Sequence, residues 1–368
     1  MPVVSHIAYI CTSKSWGGLE MNQLKNAFWM MQRGHKVMVF AQKDSQFQYE
    51  AKKLNIPVEL ITAPKKVFDF KGAYRLAKLI DNLKITHLIV RDPKEMSVTG
   101  LAKRLSKNKF FLAYFMEMQI GIPKRDFVHT IRYKPFDLWS CPLPWLQKQV
   151  KELTSFPIER TKVIPSGLEL DRFYNSFDKL KAREILELDP DKNYIGLAGR
   201  LDPQKGQLLL LDAFNQIQEK EENYNIVFLG EPTHGEFEDY TTVLDDFIRA
   251  SSMQGRVHFR PFRSDVETFY AAMDIFVMGT KSETFGMVTI EAMASGCKIV
   301  GSNKGGTVEI LEHGKLGYLY ESDSAEDMAE KIEKAIHDSS FKEEIVKEAA
   351  YKYDHQLVCK QVEEALGL

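Results

Sequence analysis

The chain of 368 residues has few cysteines and no long apolar run, and each scarcity excludes a class of protein. Its four cysteines lie far apart and form no C-x-x-C pair, which argues against a zinc site or a dithiol redox centre. No segment approaches the length of a membrane span. The opening apolar stretch has no basic segment before it and no small-residue cleavage site after it, so it predicts a strand rather than a signal peptide. These features favour a protein of the reducing cytoplasm.

Motifs for several common functions are also missing. The G-x-G-x-x-G fingerprint of dinucleotide-binding enzymes is absent, so a dehydrogenase is the least expected enzyme. No cluster of His, Asp and Glu has the spacing of metal ligands, and no metal site is predicted. No helix-turn-helix, zinc-finger or RNA-binding signature accompanies the basic residues, so no nucleic-acid partner is predicted.

Positive and negative charges are divided unevenly along the chain. Residues 1–165 carry 27 Lys and Arg against 13 Asp and Glu, whereas the rest of the chain carries 22 against 38. The basic residues cluster in 102–111 and 123–135, where aromatic residues are interleaved with them. A solvated face explains such clusters as well as a ligand does. If they bind a partner, an anionic membrane surface or an anionic acceptor is the candidate.

Short apolar runs alternate with amphipathic stretches along the chain, which is the order of a parallel sheet covered by helices. The runs lack clean alternation between apolar and polar residues, so buried parallel strands are predicted. The runs predicted as strands are SHIAYIC, KVMVFA, PVELIT, THLIVR and FFLAYF in the first half, and NYIGLAG, YNIVFLG, RVHFRP, DIFVMG and KIVGSN in the second. The pattern predicts an α/β protein with doubly wound sheets.

A chain of this length exceeds what one hydrophobic core usually holds, so two domains are predicted. The composition turns acidic around residues 164–170, an irregular connection that contains proline and glycine. We therefore predict an N-terminal domain of residues 1–165 and a C-terminal domain of residues 166–351. The sequence does not decide on which domain the amphipathic helix in 352–368 packs, and its return to the first domain is one of the two alternatives.

Paired glycines precede two of the predicted helices. Ligands bind at the carboxyl ends of strands in open parallel sheets, so binding residues are expected in the loops that follow strands. One such loop holds Gly17 and Gly18; another holds Gly305 and Gly306, with Glu309 in the helical turn behind them. Adjacent glycines let the backbone approach a ligand and aim helix amides at an anion. A simple turn explains the glycines equally well, and a helix cap explains Glu309.

The loop GRLDPQKG carries two cations after another predicted strand. Arg200 and Lys205 lie at either end of a turn set by Pro203 and Gly206. Both cations can therefore converge on one anion, while the next helix adds its N-terminus. A diphosphate fits this arrangement, and two solvated loop cations are the alternative.

The stretch KSETFGMVTIEAMASG places two glutamates around the start of a predicted helix. Glu283 lies in the loop, and Glu291 lies inside a helix that begins near residues 285–287. A phosphate at the helix N-terminus would meet the amides of residues 286–288. Glu283 could then accept hydrogen bonds from sugar hydroxyls, and Glu291 from the vicinal hydroxyls of a ribose. In the alternative, Glu283 only caps the helix and Glu291 is a surface residue.

Together, these loops in this order resemble the family 4 retaining glycosyltransferases, which have the GT-B fold. The likeness covers almost the whole chain and is strongest in IPSGLELDRF, GRLDPQKG, SETFGMVTIEAMASG and GGTVEI. It implies two Rossmann-like domains that face each other across a donor cleft. The implied reaction moves a sugar from a nucleotide diphosphate donor to a glycan or glycolipid acceptor with retention, without a metal or cofactor. Cell-envelope polysaccharide or glycolipid synthesis is the implied setting, in the cytoplasm or on the inner face of the membrane.

The resemblance also implies roles for the matching residues. Glu283, Arg200 and Lys205 are the implied catalytic residues, with the two cations on the donor diphosphate. The implied donor-binding residues are Gly17, Gly18, Arg200, Lys205, Glu283, Thr284, Phe285, Gly286, Met287, Val288 and Glu291.

Two positions depart from the family pattern. Met116 stands where a histidine near the donor sugar is usual, and we take Glu117 beside it as a further catalytic candidate. A carboxylate near a diphosphate is electrostatically unfavourable, which counts against that role. Pro261 replaces a usual glycine close to the expected base-binding loop.

Two other functions stay open. A GT-B sugar nucleotide epimerase would need a catalytic acid or base near Met116. A catalytically inactive nucleotide-sugar-binding protein would not need the complete set of Arg200, Lys205, Glu283 and Glu291 that the chain retains.

Overall fold

The computed structural model divides the chain into two units. One unit comprises residues 1–167 with 355–368, and the other comprises residues 168–354. The structure describes residues 5–65, 69–174, 177–232 and 239–368. The boundaries predicted from the sequence, after residues 165 and 351, lie within three residues of the boundaries between the two units.

The first unit is built on a parallel sheet of seven strands in the order β3-β2-β1-β4-β5-β6-β7. Its strands are β1 His6–Cys11, β2 Lys36–Gln42, β3 Val58–Ile61, β4 His87–Val90, β5 Phe111–Phe115, β6 Leu138–Cys141 and β7 Thr161–Val163. Its helices within this part of the chain are α1 Gly18–Gln32, α2 Gln46–Lys53, α3 Phe70–Leu83, α4 Met96–Leu105, α5 Phe127–Tyr133 and α6 Pro144–Leu153. Every residue of β1 is buried, as expected of a central strand covered by helices.

The second unit repeats this plan with six parallel strands in the order β10-β9-β8-β11-β12-β13. The strands are β8 Asn193–Ala198, β9 Tyr224–Leu229, β10 Val257–Arg260, β11 Ile275–Met278, β12 Lys298–Ser302 and β13 Tyr318–Tyr320. The helices are α7 Asp171–Tyr174, α8 Lys179–Ile185, α9 Gln207–Ile217, α10 Tyr240–Ala250, α11 Val266–Ala272, α12 Met287–Ala294, α13 Gly306–Ile310, α14 Ala325–His337 and α15 Glu343–Ala350. The prediction of two doubly wound α/β sheets is confirmed.

All ten apolar runs predicted as strands form strands, but three further strands were missed. These are β6, β7 and β13, which have four, three and three residues. Both β7 and β13 lie at sheet edges. The three residues of β7 and of β13 are too few for an apolar pattern to separate them from a loop. Length does not explain why β6 was missed, because the predicted strands β3 and β4 also have four residues.

The last helix, α16 His355–Leu366, belongs to the first unit. Its buried face joins the core formed by β1 and α1 through Val358, Val362 and Leu366. Arg33, just after α1, donates two hydrogen bonds of 2.7 Å to the two carboxylate oxygens of Glu363. These contacts hold α16 on the first unit. This was one of the two alternatives that the sequence left open.

Two further findings concern the cysteines and the membrane. Cys11, Cys141, Cys297 and Cys359 are buried thiols. Among the helices of the described residues, none combines the length and the apolar character needed to cross a bilayer.

The contact between Arg33 and Glu363 gives a prediction about stability and pH. Arg33 holds the pKa of Glu363 below its ordinary value, chiefly through its hydrogen bonds. A carboxylate with a lowered pKa stabilises the fold above its unfolded pKa of about 4.3, and this contribution is lost as the pH falls through the folded value. We expect Glu363→Gln to lower the free energy of unfolding at pH 7 by about 1 kcal/mol.

The check is urea unfolding of the variant and the wild type between pH 3 and pH 7. Glu364→Gln is the matched control, because Glu364 is the exposed neighbour on the same helix. The difference caused by Glu363→Gln should shrink towards pH 3. A difference that stays constant over this range would show that packing, and not the charge, is responsible.

Candidate functional site

The strand order of each sheet reverses at one point. In the first sheet the chain runs outwards from β1 to β3 and then continues with β4 on the other side of β1; in the second sheet the reversal lies between β8 and β11. The loops that follow the strands on either side of such a reversal form the usual ligand crevice of an open parallel sheet. In the second unit these are the loops of residues 199–206 and 279–286, which contain six of the twelve predicted site residues.

The two loops of the second unit touch through their backbones. Gly206 has a φ of 80°, and a Cβ atom added to it would lie 2.2 Å from the carbonyl oxygen of Gly279. Both the conformation and the space therefore require glycine at position 206. This contact fixes the residue before it, Lys205, against the loop that carries Glu283.

Lys205 and Glu283 come together as a result. Lys205 Nζ lies 3.7 Å from Glu283 Oε2, and both side chains are partly exposed, at 31% and 24%. Arg200 lies on the same loop, with its guanidinium 3.7 Å from the carboxylate of Asp202 and its side chain 58% exposed. Gln207 donates a hydrogen bond of 2.7 Å to the carbonyl of Arg200, which ties the start of this loop to α9.

A third loop holds the backbone of Glu283. The amide of Gly306 donates a hydrogen bond of 2.8 Å to the carbonyl oxygen of Glu283, and Glu283 and Gly305 form an isolated parallel bridge. A Cβ atom on Gly305 would lie 2.3 Å from that same carbonyl oxygen. Gly305 and Gly306 thus contact the backbone of Glu283 and fix its position. The sequence did not indicate this contact.

The N-terminus of α12 follows directly. Gly286 is its N-cap residue, with a φ of 101°, and Phe285 before it is buried and packs edge-on against Tyr353. The amide of Thr284 donates to Glu283 Oε1 at 3.3 Å. Met287 and Val288 open the helix, where amides have no carbonyl partner within the helix. The predicted amide donors thus lie at a helix start beside Glu283 and Lys205.

Glu291, inside α12, has a partner that sequence reasoning missed. The hydroxyl of Tyr270 donates a hydrogen bond of 2.8 Å to Glu291 Oε2. Tyr270 is fully buried in α11, and this burial, together with the carboxylate of Glu291, holds its pKa well above the usual value. The hydroxyl is therefore a permanent donor that orients Glu291. A buried tyrosine needs a polar partner, but no spacing rule links positions 270 and 291.

In the first unit, Gly17 and Gly18 lie at the start of α1. Gly17 is the N-cap residue, and its amide donates to the carboxylate of Glu20 at 3.0 Å. A Cβ atom on Gly18 would meet nothing within 4 Å, so packing within this unit does not require that glycine. An anion at this helix start would have to share the amides with the Glu20 carboxylate.

A second buried carboxyl, Glu95, joins the loops after β1 and β4. Thr12 donates to Glu95 Oε1 through its amide at 2.5 Å and through its hydroxyl at 2.9 Å. Burial raises the pKa of Glu95 to about 8, so the group is largely protonated at neutral pH. Sequence reasoning missed this residue, because nothing in the run RDPKEM distinguishes a buried acid from a solvated one.

Glu117, the extra catalytic candidate, lies in a buried ion pair with Arg91. The side chains of Glu117 and Arg91 are only 8% and 6% exposed, and Asn22 donates to Glu117 at 3.4 Å. Burial raises the pKa of Glu117, and Arg91 opposes that shift. Met116 beside it is also buried. The structure therefore gives Glu117 a structural partner; its catalytic role stays a prediction.

Pro261 directly follows β10, an edge strand of the second sheet, and is exposed. Among the described residues, no three His, Cys, Asp or Glu side chains are grouped as a metal site would require. The second unit thus places Lys205 and a helix start beside the carboxylate of Glu283, with Arg200 on the same loop as Lys205. Such a set can bind an anion that is flanked by hydroxyl groups.

The ion pair gives a prediction for the first unit. Glu117→Ala leaves the guanidinium of Arg91 buried without its carboxylate, so we expect a loss of about 3 kcal/mol in the free energy of unfolding. The double variant Arg91→Met/Glu117→Leu removes both charges and should recover most of that loss. Urea unfolding of the three proteins measures both effects. Wild-type stability in Glu117→Ala would contradict the structural role of the pair.

Comparisons with known proteins concern the second unit and the fold of the chain. Residues 178–353 match the family model of the glycosyl transferases group 1. A lipopolysaccharide core biosynthesis mannosyltransferase, LpsB of Rhizobium meliloti, is 28% identical over 170 residues, which cover 46% of this chain and 48% of LpsB. Spore coat protein SA of Bacillus subtilis is 30% identical over 203 residues, or 52% of this chain and 54% of that protein. The chain spans about half the length of the curated relatives it matches.

Solved structures match over nearly the whole chain. HepE of Anabaena in complex with UDP has a TM-score of 0.86 and 24% identity, covering 98% of this chain and 99% of HepE. A glycosyltransferase from Rickettsia africae has a TM-score of 0.88 and 18% identity, covering 99% and 98%. The chain therefore has the GT-B fold of these proteins, and its second unit matches the glycosyl transferases group 1.

Proposed function

We propose that the protein is a glycosyltransferase that moves a sugar from a nucleotide diphosphate donor to a glycoconjugate acceptor. The observation that carries the proposal is the meeting of Lys205 and Glu283 beside the start of α12. It lies within the segment that matches the glycosyl transferases group 1.

Each part of this site has a role in donor binding. Lys205 and Arg200 neutralise the diphosphate, and the first amides of α12 donate to its oxygens. Glu283 accepts hydrogen bonds from the donor sugar, and Glu291, oriented by Tyr270, accepts them from the ribose. The backbone amides of residues 284–288 and the first-unit glycines, Gly17 and Gly18, complete the predicted donor contacts.

The proposed reaction retains the anomeric configuration and uses no metal or cofactor. As the bond to the sugar breaks, negative charge develops on the leaving diphosphate. Fixed cations and helix amides aimed at that charge stabilise it, which is the task that a divalent ion performs in other enzymes. Arg200, Lys205 and Glu283 are the proposed catalytic residues, and Glu117 is a weaker candidate because of its buried pairing with Arg91.

The names of the similar proteins suggest the substrates. HepE has been solved with UDP and with UDP-glucose, and relatives are named for lipopolysaccharide core and capsular polysaccharide biosynthesis. We propose a uridine nucleotide as the first donor to test and a cell-envelope glycan or glycolipid as the acceptor. We also propose a cytoplasmic location, with the basic first unit against an anionic membrane surface.

Two alternatives are less favoured. A sugar nucleotide epimerase would need an acid or base near Met116, and the nearest carboxylate, Glu117, is engaged with Arg91. An inactive binding protein would turn over no donor. Release of free nucleotide that depends on an acceptor excludes both.

The donor site is tested by thermal unfolding with uridine, guanosine and adenosine diphosphates and their sugar conjugates. A ligand at a hundred times its dissociation constant adds about 2.7 kcal/mol to the stability of the folded state. The melting temperature should therefore rise by several degrees with one base. Lys205→Ala and Glu291→Ala should abolish the rise.

Lys192→Ala and Glu219→Ala are the matched controls. Both residues lie in the second unit before a strand begins, and therefore away from the carboxyl ends of the sheet. They should respond to the nucleotide as the wild type does. A wild type that responds to no nucleotide, or a Lys205→Ala variant that responds fully, would overturn the proposed donor site.

A separate prediction concerns Tyr270. In Tyr270→Phe the carboxylate of Glu291 loses the hydrogen bond that orients it, so we expect nucleotide diphosphate to bind about tenfold more weakly. The same variant should bind a 2′,3′-dideoxy nucleotide as well as the wild type does, because that ligand has no ribose hydroxyls for Glu291. Calorimetric titration of both ligands makes the comparison. An equal loss for both would show that Tyr270 acts only through the stability of the fold.

A further inference from the structure

The first unit contains a large groove at the carboxyl ends of its strands. The groove has a volume of about 930 Å³. The loops after β1, β3 and β4 form one side, and α4 and α5 form the other. It therefore lies at the reversal of the first sheet, beside the loop that leads to Gly17, where open parallel sheets bind ligands.

Part of the groove lining is apolar and partly open to solvent. Pro64, Leu101, Ile131 and Pro135 are among its lining residues. Phe70, at the start of α3, is 64% exposed, and Val128, in α5, is 46% exposed. Large apolar side chains grouped at one exposed site commonly mark a ligand or partner surface.

Cations surround the same groove, and one of them, Lys65, lies near the carboxylate of Asp69, which accepts a hydrogen bond from the Lys65 amide at 3.1 Å. Lys14, Lys65, Lys94, Arg104 and Arg132 line it, and none of them forms an ion pair within the described parts of the chain. Arg132 Nε is buried and has no hydrogen-bond acceptor there. Among the described lining residues, only Asp92 carries a carboxylate, and it accepts a hydrogen bond from the amide of Lys94 at 2.8 Å.

The combination of apolar lining and unpaired cations defines the chemistry of the ligand. A free sugar phosphate would satisfy the cations but leave the apolar side chains without a partner. A neutral lipid would do the reverse, because it would leave the cations that line the groove without an anion. Only an amphiphile with an anionic group satisfies both.

We infer that this groove binds an anionic amphiphile, in which a phosphate meets the cations and an aliphatic chain covers the apolar lining. The inference rests on the proposed function, because it makes the sugar acceptor a lipid-linked phosphate. The neighbouring segment supports this choice. Ile122 and Phe127 are 66% and 79% exposed, with Lys124 and Arg125 between them. Apolar and basic residues interleaved in this way suit a membrane surface with anionic lipids.

Decyl phosphate, used below its critical micelle concentration, is the probe. Calorimetric titration should show saturable binding to the full chain, with inorganic phosphate and the neutral decyl maltoside binding at least about tenfold more weakly. Lys94→Glu/Arg104→Glu should weaken decyl phosphate by about 30-fold, because each cation near an anionic group contributes roughly a factor of five. Phe70→Ser should weaken decyl phosphate and leave inorganic phosphate unchanged.

Lys107→Glu/Lys109→Glu is the matched control, because it changes the net charge equally in the same basic cluster and both residues are exposed. This control should keep wild-type affinity for decyl phosphate. Equal losses in the two double variants would overturn the inference in favour of a diffuse charge effect. Equal binding of decyl maltoside would overturn it in favour of an unspecific apolar surface.

Vesicles of phosphatidylglycerol and of phosphatidylcholine test the membrane source. The wild type should sediment with the anionic vesicles only, and Lys94→Glu/Arg104→Glu should lose more of this binding than the control pair. Failure with both vesicles would overturn a membrane source for the acceptor. None of these titrations uses nucleotide, so a failed donor panel and a failed groove remain distinguishable.

Discussion

The candidate donor site depends on direct contact between the backbones of three loops. Gly206 meets the carbonyl of Gly279, and the amide of Gly306 bonds to the carbonyl of Glu283. No side chain lies between these backbones, so there is no rotamer whose change would let the loops slide past each other. Lys205 and Glu283 therefore take their positions from the sheet, and their charged ends need not be used to hold the loops together. This leaves charge available for a ligand at the point where the strand order reverses.

In the first unit, side-chain contacts join the loops that follow the strands. At its reversal, Glu95 accepts two hydrogen bonds from Thr12, and Glu117 pairs with Arg91. These groups are buried, and the pKa of Glu95 is raised to about 8. An acid with a raised pKa stabilises the fold when protonated, and this contribution is lost as the pH rises through the folded value. The contact between the loops after β1 and β4 thus depends on the protonation state of Glu95.

Much of the fold could be predicted from the sequence, because the central strands are continuous apolar runs between helices with clear periodicity. The short edge strands β7 and β13 could not, since three residues carry no pattern. The predicted neighbours Arg200, Lys205 and Glu283 lie on loops that parallel topology brings to one edge. The bond between Tyr270 and Glu291 was missed, because a contact between two helices depends on side-chain directions that no spacing encodes. For the same reason, the sequence did not indicate the ion pair of Glu117 with Arg91.

The first unit has few carboxylates for its many cations, and it uses several of them in internal contacts. In the first unit Glu20, Glu95 and Glu117 are turned to internal hydrogen bonds and ion pairs, so they neutralise few of the cations that surround the groove. A basic surface that served solubility alone would intersperse both signs and avoid exposed apolar side chains. Here the cations, which form no ion pair among the residues that the structure describes, coincide at one groove with the exposed Phe70 and Val128. Repulsion among those cations costs stability in the unliganded protein, and an anionic amphiphile removes that cost while it covers the apolar surface. On the proposed binding of an anionic amphiphile, the asymmetry belongs to a binding surface rather than to the fold.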